Sequence, residues 1–134
     1  VVIDTNVLLV FLLKKSPFHN LFQALLRGNF IICVSIGILL EYEEEMSYRF
    51  KSEHIERFFD ELIGLNNCIF SFCYFQFNLI ENDPDDNKFV DCAIESNSDY
   101  IITNDKHFNI LALLDFPKVQ TLTLQQFQKL LFPL

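Results

Sequence analysis

Val1-Val2-Ile3-Asp4-Thr5-Asn6 is a short apolar run that ends in an acid. Apolar residues without alternation read as a strand buried on both faces. Helical spacing begins directly after it, over residues 6–13, and Lys14-Lys15-Ser16-Pro17 ends it. The same sequence of strand, then helix, recurs along the chain. Ser16 caps and Pro17 starts a helix to about residue 27, where Gly28-Asn29 stops it. Residues 30–34 form a second strand, and Ser35 caps a helix reaching about residue 50. A further helix fits residues 53–65, and the Phe- and Tyr-rich residues 68–77 read as a strand. Asp83-Pro84-Asp85-Asp86 opens a helix to about residue 97. Residues 99–103 are a strand, 105–114 a helix and 119–122 a strand, and Thr123 caps a final helix to about residue 131.

Short apolar strands alternating with helices predict an α/β fold, a parallel sheet covered on both faces. Right-handed crossovers bring the C-terminal strand ends to one edge, where such sheets bind ligands. No repeat, linker or low-complexity tract divides the chain, so one domain over residues 1–134 is expected. Half of the residues are hydrophobic and 16 are Phe, enough for a sizeable core and against disorder. No apolar run reaches the ~18 residues of a membrane span, and no membrane association is expected. The opening lacks the basic region and cleavage site of a signal peptide. It also lacks an initiator Met, which places the expected start a few residues upstream. Cys33, Cys68, Cys73 and Cys92 form no C-x-x-C pair and have no His at zinc spacing. They read as buried reduced thiols, and a cytoplasmic location follows.

The net charge of −8 argues by itself against a nucleic-acid binder, yet fits an acidic pocket that recruits cations. Asp4 and Asp105 fall on the ligand edge by strand position. Asp86 joins them if its helix leads into the following strand by a short connection. Glu41 lies in the helix after the second strand. Carboxylates from separate segments brought together repel one another, and hard Mg²⁺ or Mn²⁺ relieves that repulsion. Each acid also has a structural reading. Asp4, Asp83 and Asp105 are good helix caps, Asp86 suits the positive helix end, and residues 41–45 suit a solvated acidic face. By helical phase, Ile36, Leu39, Leu40 and Met46 define an apolar stripe with Glu43 inside it and Glu41 off it. Periodicity therefore does not select Glu41.

Taken in order, these segments resemble the motifs of PIN domains. Val1-Val2-Ile3-Asp4-Thr5-Asn6 resembles the opening motif. Ser35 with Ile38-Leu39-Leu40-Glu41-Tyr42 resembles the second, Asp83-Pro84-Asp85-Asp86-Asn87 with Phe89, Val90 and Ala93 the third, and Tyr100-Ile101-Ile102-Thr103-Asn104-Asp105 the fourth. The resemblance covers essentially the whole chain and is closest to bacterial toxins of toxin–antitoxin systems, relatives of the VapC-like ribonucleases. It implies a three-layer α/β/α sandwich and an acidic site for Mg²⁺ or Mn²⁺ made by Asp4, Glu41, Asp86 and Asp105. Asn6 would support Asp4, and Asp91 is a further acid, set about 140° around the helix from Asp86. The implied activity is metal-dependent endonucleolytic hydrolysis of RNA, with a small antitoxin and a second copy of the chain as partners.

Lys88 and Lys106 flank two of the motifs and could meet an RNA backbone, although solvated lysines are the simpler reading. His107 reads as structural. Two other functions compete: a phosphatase or phospho-acceptor using Asp4, and a non-catalytic PIN-like binding module. Asn6 stands where the former would need a second aspartate.

Overall fold

The computed structural model describes residues 1–81 and 83–133. The elements in chain order are β1 (Val2–Ile3), α1 (Thr5–Leu12), α2 (His19–Leu26), β2 (Ile32–Val34), α3 (Ile36–Ser47), α4 (Ser52–Ile63) and β3 (Cys68–Phe70). A 3₁₀ turn (Pro84–Asp86) then leads into α5 (Asn87–Glu95), β4 (Ile101–Ile102), a 3₁₀ stretch (Lys106–Leu113), β5 (Thr121–Leu122) and α6 (Leu124–Leu131).

Every strand pair is parallel. Val2 faces Ile101 and Ile3 faces Ile102, Ile101 faces Thr121, and Ile32 faces Cys68. Val1 joins the two ladders: its nitrogen donates to the Ile31 carbonyl at 2.6 Å, and Cys33 N–H donates to the Val1 carbonyl at 2.8 Å. That is the slanted pattern of a parallel bridge, so the strands run in the order β3-β2-β1-β4-β5. Successive strand residues point to opposite faces. Val2, Ile3, Ile101 and Ile102 are all fully buried, so helices cover both faces of this α/β sandwich. None of the described helices is long and apolar enough to cross a membrane.

Several boundaries differ from the sequence reading, each for a local reason. Ser16 does not cap α2: its hydroxyl accepts from Phe18 N–H at 3.0 Å and closes a turn, which delays the helix to His19. Gly28 then ends α2 with φ +80°, and Asn29 N–H bonds back to the Ala24 carbonyl. That is the reversal glycine allows without steric cost. The third strand stops at Phe70 instead of running to residue 77. Its partner β2 ends at Val34, and Ser71 N–H to the Val34 carbonyl, 2.7 Å, is the last bond available. Cys73, beyond that point, is consequently exposed and Cys68 is half-buried, whereas Cys33 and Cys92 are buried; all four thiols are free.

The largest correction concerns α3. Its buried side is Ile38, Tyr42 and Met46, whereas Ile36 and Leu40 are 63 % and 60 % exposed. Tyr42 sets this rotation. Its ring is fully buried, and its hydroxyl donates to the carbonyl of Ile3. A buried phenol needs such a partner, and Ile3 is the residue before Asp4. Glu41 is therefore turned toward the end of β1, while Glu43 is exposed.

Candidate metal centre

Asp4 leaves β1 at the C-terminal edge. It stands at the N-cap of α1, yet its side chain does not make the cap hydrogen bond of that helix. Instead its Oδ2 accepts a hydrogen bond from Thr103 Oγ1 at 2.8 Å, and the same hydroxyl oxygen accepts from Asp105 N–H at 3.0 Å. Thr103 follows β4, so one buried hydroxyl couples the first and fourth motifs across neighbouring strands. Burial pushes the Asp4 carboxyl above the usual range; the bonds from Thr103 and Thr5 N–H oppose this, and the charges of Glu41 and Asp105 add to it.

Asp83 and Asp86 are placed by the 3₁₀ turn between them. Pro84 fixes the first position, and Asp83 caps the turn by accepting from Asp85 N–H at 3.3 Å. The turn is tight enough that one carboxylate oxygen of Asp86 lies within 4.8 Å of one of Asp83. Asp86 is only 8 % exposed and caps nothing, and among the described residues its Oδ2 is a buried side-chain oxygen without a hydrogen-bond partner. Its carboxyl is pushed up to about 7, first by burial, then by the charges of Asp83, Asp4 and Asp105, with His107 opposing. His107 Nδ1 lies 3.7 Å from Asp86 Oδ2 and 3.4 Å from Asp105 Oδ1. One donor atom each of Asp83, Asp86 and His107 fall within 4.8 Å of one another, the spacing of shared ligation. Asp105 also caps the 3₁₀ stretch, accepting from His107 N–H at 2.9 Å.

Glu41 stands differently. Its Oε1 receives the Lys88 ammonium at 2.7 Å, and its Oε2 accepts from the Thr5 hydroxyl. Lys88 is thus neither a free solvated lysine nor a free cation at the site's rim.

Asp4, Asp86 and Asp105 thus lie near enough for their charges to act on one another, and Glu41 for its charge to act on Asp4, while the group at ligand spacing among the described residues is Asp83, Asp86 and His107. Two expected residues fall elsewhere. Asn6 is exposed, and among the described residues the hydrogen bonds to the Asp4 side chain come from Thr103 and Thr5. Asp91 is buried on the far side of α5, where its Oδ1 accepts from Phe77 N–H at 3.1 Å. Asn87, one turn earlier, clamps the N–H and carbonyl of Ile80, both at 2.9 Å. That face of α5 holds the aromatic segment after β3, as the 140° offset from Asp86 requires. Four residues of the site, Thr103, Asp83, His107 and Lys88, were missed as such from sequence. Asp83 had a legible signal, since Pro84 followed by two acids favours the tight turn that aligns positions 83 and 86.

A family model described as PIN domain matches residues 1–107. The chain is similar to a chain of the crystal structure of VapBC2 from Rickettsia felis bound to a DNA fragment from their promoter. The TM-score is 0.62 at 19 % identity, over 91 % of this chain and 96 % of that one, which establishes likeness of fold. No curated protein sequence matches.

Proposed function

We propose a function from one premise: the chain belongs to the PIN-domain family. It acts as a VapC-like toxin, an endoribonuclease that hydrolyses RNA phosphodiester bonds with Mg²⁺ or Mn²⁺ held by Asp4, Asp86 and Asp105. The observation that supports this most directly is Asp86 Oδ2, an oxygen buried among other acids with no hydrogen-bond partner among the described residues. Buried polar atoms are almost always satisfied, and an acidic oxygen crowded by like charges lacks a cation above all. The donor set is mainly carboxylate oxygen, which suits a hard divalent ion.

When bound, such an ion lowers the pKa of its water and stabilises charge on a phosphoryl oxygen. The chain's own residues prepare the site for it. Thr103 fixes Asp4 and, through its hydroxyl, the backbone at Asp105. His107 faces the carboxylates of both Asp86 and Asp105 and orients them. Asp83 holds the turn that carries Asp86. The net charge of −8 is then compatible with RNA, because the phosphate is met by metal instead of by a basic face. The VapBC2 complex supports a small antitoxin as a partner of this chain as well.

The test is cleavage of a mixed RNA pool in Mg²⁺ or Mn²⁺, comparing the native chain with Asp4→Asn. Changing a residue that only supports a ligand costs about 10- to 100-fold, so loss of Asp4 itself should exceed about 100-fold. Absence of cleavage by folded, metal-loaded protein on varied RNAs would sink the nuclease. Activity indifferent to Asp4→Asn would sink the site.

A further inference from the structure

The site's acids are not equally short of positive charge. Glu41 has a partner on each oxygen, the Lys88 ammonium on one and the Thr5 hydroxyl on the other. Asp86 Oδ2 is buried with no hydrogen-bond partner among the described residues, the His107 ring nitrogen standing 3.7 Å away. Lys88 is held in place from several sides. It lies on the first turn of α5, two residues after Asp86, with its stem beside Gly37 of α3 and its ammonium 6.0 Å from the Phe89 ring centre. Lys88 and Glu41 keep only 28 % and 23 % of their side-chain surface exposed. The pair therefore belongs to the packing between α3 and α5.

We propose that Lys88 is a tethered cation that takes the place of a second divalent ion beside Glu41, so that the site binds a single metal ion on its Asp86 side. This rests on the metal site proposed above and specifies its stoichiometry. A metal ion approaching Glu41 must displace an ammonium that is covalently held nearby at a high effective concentration. The same ammonium repels a second dication from the neighbouring acids. Among the described residues no ammonium or guanidinium pairs with Asp4, Asp86 or Asp105; Asp86 and Asp105 face the His107 ring, at 3.7 and 3.4 Å, which a metal can take as a ligand. Lys88 is then a positioning residue. It fixes the Glu41 carboxylate and supplies one positive charge that no chelator can remove.

The experiment is a Mn²⁺ titration, reading free ion by electron paramagnetic resonance, on the native chain, Lys88→Met and Lys88→Gln. Circular dichroism of each confirms the fold, and the glutamine variant stands in if the methionine variant does not fold. The native chain should bind about one ion, and either variant about two. Adding Glu41→Gln to the lysine variant should bring the number back to about one. Two ions on the native chain would overturn the proposal and leave the metal site standing. A single ion on both lysine variants would overturn it too. No ion on the native chain would overturn the metal site, and this proposal with it.

Discussion

The two sides of the acidic cluster solve the same electrostatic problem differently. On the α3–α5 side, Glu41 is neutralised from within by Lys88 and tied to Thr5. On the other side, Asp83, Asp86 and Asp105 face the His107 ring, and among the described residues Asp86 Oδ2, 3.7 Å from it, has no hydrogen-bond partner. The contrast shows that acids alone do not make a metal site. What matters is which carboxylate the fold leaves without a hydrogen-bonded cation. Asp86 answers that description and Glu41 does not.

Thr103→Val breaks the link between Asp4 and Asp105 and gives the largest effect in this series. It removes the hydroxyl that serves both and leaves Asp4 Oδ2 buried without its donor. A supporting residue of this kind should cost about 10- to 100-fold in Mn²⁺ affinity, which calorimetric titration reads directly. Affinity unchanged by this substitution would mean that Asp4 does not need its orientation fixed.

Next comes pH. Folding raises the Asp86 pKa from 3.8 to about 7, so the folded, metal-free chain holds this proton more tightly than the unfolded one. Protonated Asp86 therefore favours the folded state most at low pH. That contribution is lost as pH rises from about 4 to about 7. The melting temperature in a chelator should fall across this window, and Asp86→Asn should flatten the fall. Mn²⁺ affinity should climb over the same window, because binding must release the proton. A metal-free melting curve with the same pH slope in native and variant chains would remove Asp86 as the strained acid.

Glu41→Gln sharpens the comparison by its opposite sign. Above pH 7 in chelator, Asp86→Asn relieves a buried charge and should stabilise. Glu41→Gln instead strands Lys88 and should destabilise, by about 1 kcal/mol or less for so partial a burial. Denaturant midpoints of the two variants measure this. Equal signs would erase the distinction between the two sides. The smallest effect is expected for Asp91→Asn, which keeps an oxygen for Phe77 N–H. Its RNA cleavage rate should stay within about twofold of the native chain. A larger loss would return Asp91 to the site.

Much of the site could be read from residue order, and the failures are instructive. Asp4 and Asp105 were legible as acids after apolar strands, since strand ends are local features. The helix around Glu41 was misread because Ile36 and Leu40 are apolar yet exposed, and a single hydroxyl on Tyr42 outweighed them in fixing the rotation. The resemblance made Asn6 the support of Asp4, but among the described residues the side-chain support comes from Thr103, 99 residues from Asp4. His107 read as structural because its relation to Asp86 spans two segments.

Sequence alone determined the alternation of strand and helix, the acids that end strands, and the resemblance that joins the four motifs. These follow from periodicity, capping and breaking residues, which act within a few positions of one another. Only the tertiary structure decided which acid is paired, which is desolvated and which keeps an oxygen unsatisfied. Coulomb interaction and burial depend on distance through space, and residues such as Lys88 and Glu41, 47 positions apart, meet only when α5 packs on α3. The sequence supplied the carboxylates, and the fold distributed the positive charge among them.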